Sequence, residues 1–218
     1  MIVQIAGVHD IPEAEDIIAA GATHIGLPLR LPDDREDLDE PAARALVHAV
    51  RDRIETVLIT YQTDAHEIFE FARWLGVSGV QLHGSIAAPQ VAVLRSLAPR
   101  LFVIKSLIVA GDNLRQLLSA VATLADDVDA FITDTYDPAT KRSGATGKVH
   151  DWSVSQMLVS SSRRPVILAG GLNAMNVAEA IRVVRPAGVD AHTGVEAASG
   201  RKRPQQLREF VRAAVGMR

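Results

Sequence analysis

Apolar residues along this chain follow two alternating patterns. The first is the short dense run. Ile2–Ala6, His24–Leu27, Glu55–Thr60, Gly79–His83, Leu101–Lys105, Asp129–Asp134, Val166–Ala169 and Val189–His192 are rich in Val, Ile and Leu. Such runs are what strands covered on both faces require. The second pattern places apolar residues every three or four positions between those runs, and predicts helices. These helices span Pro12–Ala20, Pro41–Arg53, the segment from Asp64 to Leu75, Ala88–Leu97, the segment from Asn113 to Leu124, one following Asp151, the segment from Asn173 to Val184, and Pro204–Val215. Pro12, Pro41, Pro89 and Pro204 fall in first turns, where a missing N–H costs nothing, and Asp64, Asn113, Asp151 and Asn173 stand at capping positions.

Strand and helix therefore alternate through the whole sequence. The fold class expected is α/β, a single (β/α)8 TIM barrel forming one domain over residues 1–218. An open doubly wound sheet is the competing architecture. It fits less well, because Ala6-Gly-Val-His-Asp10 after the first strand is not the G-x-G-x-x-G of a dinucleotide-binding turn. Two stretches read as long loops. One is the acid-rich segment from Pro28 to Glu40, expected to be solvated, and the other covers residues 135–150.

Composition narrows the chemistry. Hydrophobic residues make up 48% and aromatic ones only 4%, so the core is aliphatic. A net charge of −3 offers no bulk attraction to nucleic acid or acidic lipid. Cysteine is absent, which excludes disulfides and thiolate–metal sites. The seven histidines show no metal-ligand spacing. No run reaches the ~18 apolar residues of a membrane span, and the opening Met1-Ile-Val-Gln-Ile-Ala-Gly7 carries neither a basic region nor a cleavage site. The expectation is a cytoplasmic protein with no metal, no cofactor, no nucleic-acid partner and no membrane partner, acting on a small molecule as a monomer or homodimer.

Barrels of this class carry their sites at the C-terminal strand ends. Polar residues converge there. His9 and Asp10 follow the first strand, Arg30 and Arg35 the second, and Gln81 and His83 close the fourth. Lys105 ends the fifth and Asp134 the sixth, ahead of a loop holding Gly144, Thr146, Gly147 and His150. Gly170 and Gly171 follow the seventh strand, and His192, Thr193 and Gly194 the eighth. Glycines just past two adjacent strands leave backbone N–H groups free to meet an anion, so Gly170, Gly171, Thr193 and Gly194 are expected to cradle a phosphate.

Four strings in register resemble the phosphoribosylanthranilate isomerase family of tryptophan biosynthesis. They are Val80-Gln-Leu-His-Gly84, Gly144-Ala-Thr-Gly147 with Asp151-Trp152, Leu168-Ala-Gly-Gly-Leu-Asn173, and Gly188-Val-Asp190 with Gly194-Val-Glu196. The resemblance implies an Amadori rearrangement of a phosphoribosylamine. A general acid falls on Asp134, and the Ser143–His150 loop joins the substrate site. It also implies a Cys base at the end of the first strand, but Gln4-Ile-Ala-Gly7 places Ala6 there, and a methyl group accepts no proton. The arginine that meets the anthranilate carboxylate in the family falls on Arg30, on Arg35 or on neither, and Arg35 is the expected contact. His192 and His150 stand where the family usually has Ser and Phe.

Each candidate has a plainer reading. Asp134 also fits a loop cap. His83 fits a structural residue as well as a catalytic one, and Gln81 a substrate contact. His9 and His192 are the imidazoles able to replace the base, although a solvated loop explains His9 equally. Lys105 suits a Schiff base, a phosphate contact or, preferentially, an ion pair with Asp134. Arg201-Lys-Arg203 reads as surface charge. Three functions follow: an isomerase with a displaced base, a relative acting on another phosphosugar, or a barrel that binds a phosphometabolite without turnover.

Overall fold

In the computed structural model, which describes residues 1–32, 36–137, 142–143, 147 and 149–216, eight parallel strands close on themselves. The elements run β1 (Ile2–Ala6), α1 (Ile11–Ala20), β2 (His24–Pro28), α2 (Glu40–Val50), β3 (Glu55–Thr60), α3 (Ala65–Leu75), β4 (Gly79–Leu82) and α4 (Ala88–Leu97). They continue with β5 (Phe102–Val109), α5 (Leu114–Leu124), β6 (Ala130–Asp137), α6 (Trp152–Ser161), β7 (Val166–Leu168), α7 (Val177–Val184), β8 (Gly188–Ala191) and α8 (Pro204–Val215). Neighbours pair in order around the ring. β1 lies between β2 and β8, and β5 with β6 completes the closure. Between β6 and α6, Arg142–Ser143 pairs antiparallel with Tyr136 and Asp137.

Strand parity explains where the core sits. Alternate residues face opposite ways, so Val103, Phe131, Val166 and Leu168 pack toward the helices. Val57, Ile104, Ala130, Ile132, Ile167 and Ala169 form a second, smaller cluster of the opposite parity, inside the barrel. That inner parity continues to Gln4, Gln81, Ser106, Asp134 and Asp190, so the barrel changes from apolar to polar toward its C-terminal end.

Three expectations need adjustment. β5 and β6 are longer than the apolar runs suggest, because Ile108 pairs with Asp134 and Val109 with Thr135 past the apolar segment. Asn113 does not cap α5 with its side chain; its amide bridges Ala110 N–H and the Ile108 carbonyl instead. Asn173 starts its helix late. Its side chain accepts from Met175 N–H at 2.9 Å in a turn that precedes α7. Among the described residues no helix is long and apolar enough to cross a membrane.

Candidate active site

The floor of the site is a polar layer inside the barrel. The Gln4 amide donates to Gln81 Oε1 and to Asp190 Oδ1, both at 3.0 Å, reaching across from β1 to β4 and sideways to β8. Gln81 Nε2 lies 3.3 Å from Ser106 Oγ and 3.5 Å from His83 Nδ1. Ser106 Oγ is 3.1 Å from the same ring nitrogen. An amide nitrogen only donates, so this network assigns His83 Nδ1 as an acceptor. The His83 ring also packs 4.9 Å from that of Tyr61. Gln81 and His83 are thus buried parts of the floor.

Asp134 sits above that floor on β6. Its Oδ1 accepts from Thr135 N–H at 2.7 Å. Burial pushes its carboxyl up to about 7, and the negative charge of Asp190 adds to the rise. Burial likewise lifts Asp190 to about 6, against the pull of Gln4, His192 and Lys202. A carboxyl at about 7 is divided between acid and base near neutrality, as proton transfer to a leaving oxygen requires. Lys105 makes a different connection from the one expected. Its Nζ donates to the carbonyls of Leu82, Gly84 and Ser106 at 2.9, 2.9 and 3.1 Å rather than pairing with Asp134. Burial lowers it to about 8.

On the β6–β7 side, His150 bridges two hydroxyls. Nδ1 lies 2.8 Å from Thr135 Oγ1 and Nε2 lies 2.6 Å from Ser155 Oγ. Gly170 has φ of 94°, and a Cβ there would overlap Thr135 Oγ1. The glycine turn thus rests directly on the end of β6, and only glycine takes that conformation freely. No acceptor among the described residues takes the amide N–H of Gly170 or Gly171. Gly194 is wedged against the Leu172 carbonyl, which a Cβ would overlap. Gly147 approaches Thr193, with 3.6 Å between its projected Cβ and Thr193 Oγ1. The structure therefore gathers Gly147, Gly170, Gly171, Thr193 and Gly194 at one rim. Gly144, Thr146 and Arg35 lie outside the described residues. Arg30 is held elsewhere, ion-paired to Glu40 at 2.8 Å with its guanidinium 3.6 Å from the Phe71 ring centre.

The adjoining part of the rim, where the end of β8 meets that of β1, holds a charged network that the sequence concealed. His192 Nε2 lies 3.2 Å from Glu196 Oε1 and 3.9 Å from Asp37 Oδ2. The Lys202 ammonium is 2.5 Å from Glu196 Oε1. Its side chain is fully buried, which corrects the expectation that the basic cluster before α8 is all surface charge. Glu13, expected to be a helix first-turn acid, is also buried. It accepts from Lys202 N–H at 2.6 Å and His9 N–H at 2.8 Å, and touches His9 Nδ1 at 3.0 Å. His9 is therefore built into the rim rather than loosely solvated, with Nε2 3.7 Å from Asp37. Glu196 is kept ionised, down to about 2, because His192 and Lys202 outweigh the effect of burial. Ala6 at the end of β1 presents only a methyl group, and the His192 ring fills the space over Gly7, where a Cβ would overlap Nε2.

The model of the N-(5'-phosphoribosyl)anthranilate (PRA) isomerase family matches residues 3–213. N-(5'-phosphoribosyl)anthranilate isomerase 2 of Methanosarcina mazei is 38% identical over 215 residues, covering 98% of this chain and 94% of its own. The crystal structure of phosphoribosyl anthranilate isomerase from Thermotoga maritima superposes with a TM-score of 0.82 at 28% identity, covering 99% of this chain and 100% of its own. A PRA isomerase solved in complex with reduced 1-(o-carboxyphenylamino)-1-deoxyribulose 5-phosphate superposes at 0.80 with 26% identity, over 99% and 100% of the two chains. This chain belongs to the PRA isomerase family.

Proposed function

We propose that this barrel, acting as one domain, isomerises N-(5'-phosphoribosyl)anthranilate to its aminoketose by an Amadori rearrangement. The observation that carries the reading is Asp134, a buried carboxyl poised at about 7 on the strand end that faces the barrel mouth. In this reading Asp134 protonates the ribose ring oxygen as the C1–O bond breaks, leaving an iminium. Loss of the C2 proton gives an enolamine, and ketonisation with protonation at C1 completes the isomerisation. The phosphate is received by Gly170, Gly171, Thr193 and Gly194, with Gly147 alongside and Gly144 and Thr146 completing the loop. Arg35 meets the anthranilate carboxylate, because Arg30 is already paired with Glu40. His83 and Gln81 hold the floor beneath the sugar. The reaction needs neither metal nor cofactor, and the protein works in the cytoplasm as a monomer or homodimer.

A second reading rests on Ala6. Without a proton acceptor on β1, the same cradle would serve a different phosphosugar. Purified protein mixed with PRA decides between the two readings when aldose-to-ketose conversion is followed by 13C NMR. Conversion that is lost in Asp134→Asn, with rescue of a tryptophan auxotroph lacking the isomerase, is the expected result. No conversion by the unaltered protein would remove the first reading.

A further inference from the structure

Resting on that function, we propose that His192 is the general base, taking the C2 proton at Nδ1 while Glu196, anchored by Lys202, holds its Nε2–H. The carboxylates beside the ring point to one tautomer. Nε2 faces Glu196 Oε1 at 3.2 Å and Asp37 Oδ2 at 3.9 Å. Ionised carboxylates only accept, so the ring proton belongs on Nε2 and the lone pair on Nδ1. Among the described residues Nδ1 has no hydrogen-bond partner. The other imidazoles at this end are arranged differently. His83 Nδ1 is engaged by Ser106 and Gln81 inside the floor. His9 Nδ1 is held by Glu13, and its Nε2 faces Asp37.

Placement supports the same assignment. The His192 ring overlies Gly7, the neighbour of Ala6, so the imidazole stands beside the end of β1. Gly7 permits this approach because any side chain there would collide with Nε2. When Nδ1 takes the C2 proton, the C–H electron pair becomes the C1–C2 double bond of the enolamine. The iminium nitrogen recovers its lone pair. The imidazolium then faces three acids, namely Glu196, Asp37 and Asp190, and opposes two bases, Lys202 and His9. Lys202 is itself offset by Glu196. Glu196 and Lys202 are positioning residues, since neither needs to touch substrate.

The test joins kinetics to spectroscopy on the full-length protein. His192→Ala and the near-isosteric His192→Asn should lower kcat/KM by about 10²–10⁴-fold and remove the acid limb of its pH profile. Free imidazole should restore part of the rate to His192→Ala. Glu196→Gln should lower kcat with little change in KM, because the imidazole loses the carboxylate that orients it. Its 15N NMR spectrum should show the neutral ring shifting from the Nε2–H tautomer of the unaltered protein toward a mixture. Circular dichroism and melting curves establish that each variant is folded. A His192→Asn enzyme within threefold of the parent rate, with its acid limb in place, would overturn the assignment while leaving the isomerase function standing. Failure of the unaltered protein to convert PRA would overturn both.

Discussion

Nδ1 of His150 lies 2.8 Å from Oγ1 of Thr135, the residue whose N–H holds the Asp134 carboxylate. With Ser155 at the other ring nitrogen, His150 ties the end of β6 to the first turns of α6. Burial lowers its protonation to about 4, from an ordinary value of 6.5. The unfolded chain therefore binds a proton between pH 6.5 and 4 that the folded chain refuses. Stability contributed by this residue is complete above pH 6.5 and declines as pH falls toward 4, by roughly 3 kcal/mol at most. Urea melts of His150→Phe at pH 7 and pH 4.5 should show a smaller acid-side loss than the parent. At pH 7 the variant should be less stable, since buried Ser155 loses its partner. Equal acid sensitivity in the two proteins would refute this.

Asp190 should tune the acid it faces. Its charge helps raise the Asp134 carboxyl, so Asp190→Asn should draw the alkaline limb of the rate profile to lower pH. Both acids titrate above the unfolded value of 3.8, so the folded state gives up stability as pH rises from about 4 toward 7. Asp190→Asn should accordingly raise Tm more at pH 8 than at pH 4. The Asn oxygen can still accept from Gln4. An unmoved alkaline limb would refute the coupling.

At the glycine-lined rim, Thr193→Ala and Gly194→Ala should fail in different ways. Removing the Thr193 hydroxyl should weaken binding of inorganic phosphate in calorimetry by about 3–10-fold with little change in Tm, as loss of one hydrogen bond would. A methyl at Gly194 meets the Leu172 carbonyl, so its damage includes displacement of the β7–α7 loop and a stability loss of about 1–3 kcal/mol. A Gly194→Ala protein with parental Tm would contradict the wedge.

Lys105 should be structural. Its three carbonyl acceptors leave no reason for imine chemistry. Borohydride added during turnover should yield no adduct on Lys105 by mass spectrometry. Lys105→Met should destabilise the fold by about 2–4 kcal/mol, since carbonyls at and just past the end of β4 and within β5 lose their donor. A trapped adduct would reverse this view.

The barrel was legible because its two periodicities rarely overlap and because proline and glycine punctuate nearly every join. Asp134, His192 and the paired glycines were visible for a related reason: barrel geometry sends attention to strand ends. The charged rim was not. Glu13 looks like an ordinary helix-start acid and Lys202 like part of a basic surface cluster, yet the two meet across 189 positions of sequence. Asp37 lies in an acid-rich run that gives no hint of two histidines beside it. Arg30 looked available for an anion until Phe71, far along the chain, supplied a ring for it to cover. Pairing at such separations follows from closure of the ring, which no local pattern encodes.

The contact between Gly194 and the Leu172 carbonyl has a consequence for how a ligand is received. Two loops that touch with no clearance, one of them also seated on Thr135 through Gly170, cannot relax independently. In the cradle proposed above, the backbone of both loops is therefore held in place before an anion arrives. Binding there pays little ordering entropy, so it resembles a key entering a cut lock more than a hand closing. The heat capacity change on phosphate binding should then be small, with no loop burial to add to it.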